Sequence, residues 1–217
     1  MKAMILAAGI GSRLGEITKD KPKCLVEVRG KPLIKHVIER LQSAGVTSFV
    51  INSHHFGDKV KAYIDGLKID AVVLYEKELL GTGGGLLNAK DYLKGDFFLH
   101  NADVLSEIDL VALFKTHQEN KNLATLAVMK RETKRALLFD DSMQLTGWSN
   151  DVVSGNRYGF CGVQVSSENI FEYLVSPGST IDAFVKASNQ GQRVVGYDIG
   201  NTFWADVGTP ESLKKMG

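Results

Sequence analysis

Several side chains in this 217-residue chain stand where phosphate chemistry could be done. The first group is Leu6-Ala7-Ala8-Gly9-Ile10-Gly11-Ser12-Arg13-Leu14, small residues and two glycines after an apolar run. Such a turn lets a ligand approach the backbone, and free N–H groups cradle phosphate oxygens. A dinucleotide fingerprint would need glycine at Leu14, and no Gly-Lys-Ser/Thr follows to complete a Walker A loop. Alone, the motif equally serves a plain strand-to-helix turn. The second group is Lys21-Pro22-Lys23. Arg13 offers a planar fork and Lys23 a point charge, and both could converge on one phosphate. The third is Gly81-Thr82-Gly83-Gly84-Gly85. Consecutive glycines at a helix start are costly unless something must come close, and a flat ring is the expected occupant. The last two are acids, Asp103 in Asn101-Ala102-Asp103 and Asp206 in the run from Trp204 to Pro210. Each alone is an ordinary turn aspartate. Two acids facing one phosphate cradle would make a Mg²⁺–triphosphate site.

The elements that must position these groups follow from hydrophobic spacing. Residues 1–7 are apolar on both faces apart from Lys2, which predicts a buried strand. Pro32 marks a helix start, and Leu33, Ile34, Val37, Ile38 and Leu41 form one apolar stripe closed by Gly45. Strands are predicted over 48–52, 71–75, 96–101 and 123–129, and helices over 58–64, 83–93 and 109–119. Residues 1–130 therefore run βαβαβαβαβ, an α/β fold with a mostly parallel sheet sandwiched by helices. Ligands of such sheets sit beyond the carboxyl ends of the strands, where the five groups fall. The rhythm loosens afterwards. A hairpin is expected from 136–139 and 144–148 around Asp140-Asp141, then a strand at 158–165 and a helix at 168–174. A helix at 179–188 capped by Ser179 or Thr180, strands at 193–199 and 202–206, and a helix at 209–216 complete the chain. The expected organisation is one domain over 1–217, with a nucleotide-binding half at 1–130 and an acceptor-binding half at 131–217.

Composition narrows the function classes. A formal net charge of +1 supplies no field for duplex DNA or an anionic membrane, so neither is an expected partner. Two cysteines, Cys24 and Cys161, are too few for a disulfide framework and lack metal-ligand spacing, which points to a cytoplasmic protein. The apolar start is broken by Arg13 and the charged run 16–23, unlike a secretory leader. A monomer or a small homo-oligomer is expected.

Taken in order, the motifs resemble those of the sugar 1-phosphate nucleotidyltransferases. That family opens with Leu-Ala-Ala-Gly-x-Gly-x-Arg-Leu and Pro-Lys-x-Leu, here Leu6 to Leu14 and Pro22 to Leu25. Its Gly-x-Pro-Leu, Gly-Thr-Gly/Ala-Gly, Asn-Gly-Asp and Asp-x-Gly-Thr-Pro elements correspond to Gly30 to Leu33, Gly81 to Gly84, Asn101 to Asp103 and Asp206 to Pro210. Ala102 replaces the usual glycine. The overall look is nearest the short single-domain members, such as muramic acid 1-phosphate uridylyltransferases and phosphocholine cytidylyltransferases. The resemblance implies a Rossmann-like nucleotide-diphospho-sugar transferase fold with a small β-rich sugar-side insertion. It also implies a reaction: an NTP and a sugar 1-phosphate give an NDP-sugar and pyrophosphate.

By the same resemblance, Asp103 and Asp206 hold Mg²⁺, Arg13 stabilises departing pyrophosphate, and Lys23 binds the α-phosphate and acceptor phosphate. The nucleotide falls to Leu6, Ala7, Ala8, Gly9, Gly11 and Asn101, with Gly81, Thr82 and Glu76 at the base. Uracil, guanine and cytosine all present N–H donors to a carboxylate, so Glu76 leaves the base open. The Glu-Lys-Pro segment with which longer relatives hold the sugar phosphate is missing between Met129 and Tyr158. Arg131, Lys134, Arg135 and Arg157 are the candidate replacements; Arg135 is the chosen one, with Tyr158 and Gly162 bordering the sugar. Two rival readings exist. A cytidylyltransferase for a phosphorylated alcohol such as phosphocholine would need an aromatic cage from Tyr158, Phe160, Trp148 and Trp204. A catalytically silent nucleotide-sugar-binding module would be expected to lose the very residues this chain keeps.

Overall fold

A computed structural model describes residues 1–149 and 156–216. β1 (Lys2–Leu6) carries three fully buried residues, Ala3, Met4 and Ile5, with layers on both sides. A 3-10 segment (Ser12–Thr18), a second one (Lys23–Leu25) and the short strands β2 (Glu27–Val28) and β3 (Lys31–Pro32) lead to α1 (Leu33–Ser43). Pro32 is the N-cap of α1 rather than its first residue, because it also pairs with Glu27 in the β2–β3 ribbon. The predicted stripe of α1 is buried throughout. Gly45 ends the helix at φ 89°, with Val46 N–H on Leu41 O and Gly45 N–H on Gln42 O.

The chain continues through β4 (Ser48–Ser53), α2 (Gly57–Gly66), β5 (Asp70–Tyr75), α3 (Gly81–Asn88), β6 (Asp96–Asn101), β7 (Val104–Ser106) and α4 (Leu110–Glu119). Then come β8 (Ala124–Met129), β9 (Ala136–Phe139), β10 (Leu145–Ser149) and β11 (Asn156–Ser167), followed by α5 (Thr180–Asn189), β12 (Val194–Asp198), β13 (Trp204–Asp206) and α6 (Pro210–Met216). Asp109 caps α4 by accepting from Ala112 N–H, and Ser179, not Thr180, caps α5. α3 starts two residues before the predicted position and ends at Asn88, with turns in place of the last predicted stretch. The predicted helix at 168–174 is a shorter 3-10 segment, Glu168–Glu172.

The main sheet runs β5-β4-β1-β6-β11-β8-β12. All neighbours are parallel except at β11, which is antiparallel to both β6 and β8. β9 and β10 form the expected hairpin and hang from the first half of β11. Two apolar clusters cover the two faces, one built on α1, α2 and α4, the other on α3 and α5. A third, smaller cluster joins Leu14, Val26, Val28 and Leu33 to Val207. Among the described residues no helix is long and apolar enough to cross a membrane.

Candidate active site

The carboxyl ends of β1, β4 and β6 open onto a cavity of about 250 Å³. Leu6, Ala7, Ala8, Gly9, Glu76, Gly81, Thr82 and Asn101 line it, as do Lys23 and Asp103. Among the described residues the amides of Ala8, Gly9, Ile10 and Gly11 donate no hydrogen bond within the protein, which leaves them free for an anion. Open space surrounds Gly9. Gly11 stands outside the cavity wall; its φ of 73° turns the chain, and an added Cβ would lie 3.0 Å from Lys23 Cβ. Gly11 therefore packs behind the lysine.

The two acids are brought together by strand pairing. β13 pairs antiparallel with β7, Asp206 lies opposite Val104, and Val207 N–H donates to Asp103 O at 2.8 Å. Burial pushes the Asp206 carboxyl up, and the nearby Asp103 charge pushes it the same way; Lys23, Arg13 and Arg131 pull against them. Lys23, only 8% exposed, donates to Asp103 Oδ2. Gly208 is the gap that lets Arg13 near Asp206, because an added Cβ would lie 2.6 Å from both Arg13 Nη2 and Asp206 Oδ1. A hard cation such as Mg²⁺ takes one or two carboxylates and completes its shell with phosphates and waters. Asp103 and Asp206 supply that donor set, and a lysine already offsets their charge. Among the described residues no group of three or more His, Cys, Asp or Glu could hold a metal.

The glycine-rich stretch also meets a packing demand within the protein. Protein backbone presses on one side of it. An added Cβ on Gly81 would lie 2.4 Å from Gly178 O, and one on Gly83 would lie 3.0 Å from Ser179 C. Gly83 N–H donates to Gly178 O, Gly178 N–H to Leu80 O and Thr180 N–H to Thr82 Oγ1. The stretch is thus clasped onto residues 176–180, while Gly81 and Thr82 keep one side on the cavity. Gly85 sits against Asn52 and Glu76.

Asn52 was missed in the sequence. At 3% exposure it accepts from Ala7 N–H and donates to Glu76 Oε1, both at 2.7 Å. Glu76 Oε2 accepts from Leu80 N–H at 3.2 Å. The Glu76 carboxylate therefore stitches β4 to the turn at Leu80, besides lining the cavity. A polar Asn ending a buried strand next to β1 was the available signal.

Of the residues expected to meet the acceptor, Gly162 reaches the site: at φ 71° it packs on Asn101, where an added Cβ would lie 2.8 Å from Nδ2. Tyr158 does not. Its ring is 6% exposed, meets Phe139 edge-on and is covered by Lys130, so it belongs to the core. Arg135 is exposed and turns to Trp148, 5.9 Å from the ring centroid. The cation drawn to the acids is Arg131 instead, stacked 4.5 Å over Trp204. With Tyr158 in the core and both tryptophans under arginines, the aromatic cage required for phosphocholine is not assembled among the described residues.

A carboxylate pair and free loop amides at the carboxyl edge of a parallel sheet mark a nucleotide-binding α/β protein. Within that class a model of the nucleotidyl transferase family matches residues 2–139, and the chain belongs to this family. It is 33% identical to the N-acetylmuramate alpha-1-phosphate uridylyltransferase of Neisseria meningitidis serogroup B, covering 99% of this chain and 96% of that one. It is 29% identical to a probable glucose-1-phosphate cytidylyltransferase of Bacillus subtilis, covering 100% and 94%. The fold matches the inositol-1-phosphate CTP transferase of T. maritima with a TM-score of 0.83 at 23% identity, covering 99% and 95%.

Proposed function

We propose that the protein transfers a nucleoside monophosphate from an NTP to a sugar 1-phosphate, giving an NDP-sugar and pyrophosphate. The observation that carries this reading is the juxtaposition of Asp103, Asp206 and Lys23 beside the free amides of 8–11. Relatives named for sugar 1-phosphates, covering nearly the whole chain, support the acceptor class. Two buried free thiols support a reducing, cytoplasmic setting.

The acceptor phosphate is already an anionic nucleophile, so no general base is required. Its oxygen bonds to the α-phosphorus, and the bond from that phosphorus to the bridging oxygen breaks. The barrier is the approach of two anions and the charge on the departing pyrophosphate, so catalysis is positioning and electrostatics. The amides of 8–11 seat phosphate oxygens. Lys23 leaves Asp103 for the α-phosphate, and Arg13 takes up charge on the pyrophosphate. Asp103 and Asp206 would hold Mg²⁺, which when bound offsets phosphate charge and orients the two substrates. Glu76 and Asn52, bonded to each other and to Ala7 and Leu80, keep the base side of the cavity rigid.

The test is pyrophosphate release from the four NTPs, each with a panel of sugar 1-phosphates and Mg²⁺. Asp103→Asn and Asp206→Asn should each lower kcat by at least ~100-fold with unchanged circular dichroism. Full activity in both variants would remove the metal assignment.

A further inference from the structure

We propose that Arg131 is the residue that holds the acceptor's phosphate, an inference that rests on the transfer reaction above. β8 is parallel to β6 within the sheet, so Arg131, two residues past its end at Met129, emerges on the same edge as Asn101 and Asp103. Its guanidinium is placed by three contacts. It stacks on Trp204, its Nη2 donates to Phe160 O at 2.9 Å, and its Nε fills the space above Gly159, where an added Cβ would lie 2.5 Å away. Trp204 is itself fixed by its Nε1–H on Cys161 O at 2.7 Å. Trp204 and Asp206 alternate along β13 and share one face, so the stacked cation lies on the side of the metal-binding acid, and its charge acts on Asp206.

That geometry is not what a structural arginine needs. Nε is buried without a hydrogen-bond partner, which costs free energy. Among the described residues Arg131 forms no ion pair within 4.0 Å. A cation stacked, oriented and left without an anion beside a phosphate-transfer site is preorganised for an incoming one. Lys130 and Arg135 are engaged elsewhere, over Tyr158 and Trp148, and Lys134 is exposed. Arg131 thus supplies the positive charge that the missing Glu-Lys-Pro segment would have supplied.

The experiment is steady-state kinetics of wild type, Arg131→Ala and Arg131→Lys, with the NTP and the best sugar 1-phosphate of the panel varied separately. For Arg131→Ala the acceptor KM should rise at least tenfold, about 1.4 kcal/mol, while the NTP KM stays within about twofold. Arg131→Lys, which keeps the charge and loses the planar stack, should fall between Arg131→Ala and wild type. Equal rises in both KM values would make Arg131 a countercharge to Asp206 and overturn the proposal. An unchanged acceptor KM would overturn it as well; either result leaves the transfer reaction standing. If wild type releases no pyrophosphate with any substrate pair, the transfer reaction fails and takes the proposal with it.

Discussion

Replacing Gly81 by alanine tests whether the glycine-rich stretch serves the protein's own packing. Gly81 has φ 73°, and Gly95, at φ 71°, provides a matched control with nothing within 4 Å of its added Cβ. The left-handed backbone costs alanine about 1 kcal/mol at either position. At Gly81 the new methyl also meets Gly178 O at 2.4 Å, a backbone atom that can yield only by moving the clasp. Overpacking of that kind costs roughly 1–3 kcal/mol. The bonds from Gly83 N–H to Gly178 O and from Gly178 N–H to Leu80 O, 2.8 and 2.9 Å long, are strained with it. At about 1 kcal/mol each they add to the loss. Gly81→Ala should therefore cost about 3–5 kcal/mol and Gly95→Ala about 1 kcal/mol. Urea denaturation of both variants reads the difference as a shift in midpoint at constant slope. If the two variants lie within about 1 kcal/mol of each other, the clasp does not hold the stretch and the packing argument is wrong.

Two further predictions concern ionisation. Asp206 has its carboxyl pushed above the ordinary range, chiefly by burial, so its ionised form weakens the folded state once pH exceeds the unfolded value. Asp206→Asn should raise the denaturation midpoint at neutral pH, and the gain should vanish as pH falls below the carboxylate range; an equal or lower midpoint at neutral pH would refute this. His100 is buried and pushed down from 6.5 to about 4. The unfolded chain takes up its proton below pH 6.5 and the folded chain only near pH 4, so stability should fall by about 3 kcal/mol across that window. His100→Gln should flatten this acid slope, leaving the smaller contribution of His117, which burial also lowers; an unchanged slope would show that His100 is not its source.

Much of this was legible locally. β1, β4, β6 and β8 are short apolar runs, and α1 and α4 carry helical stripes, so the parallel sheet could be read from periodicity. Asp103 and the 6–9 turn follow strand ends, Lys23 opens a 3-10 segment in the loop after β1, and all come together at the cavity. What could not be read depends on partners distant in sequence. Nothing near Gly81 shows that Gly178 will press on it. Tyr158 and Phe160 stand two residues apart in β11, and only the packing of β9 shows that Tyr158 meets Phe139. Arg131 and Arg135 look alike as sequence; which of them turns to the acids is decided by Trp204, more than seventy residues later, counting from 131 to 204.

β11, antiparallel to both β6 and β8, also sets the order in which the sheet can close. β1, β4, β5 and β6 join as successive crossovers, complete once the chain reaches Asn101. Among the described residues β8 pairs only with β11 and β12, both made later. During synthesis its apolar residues, Ala124 to Val128, therefore wait without a hydrogen-bonded neighbour until 156–167 have emerged and docked on β6. An unpaired apolar strand is the hazard of such partly made chains. β11, the strand that anchors the β9–β10 hairpin, is thus also the keystone that ends this exposure during biosynthesis.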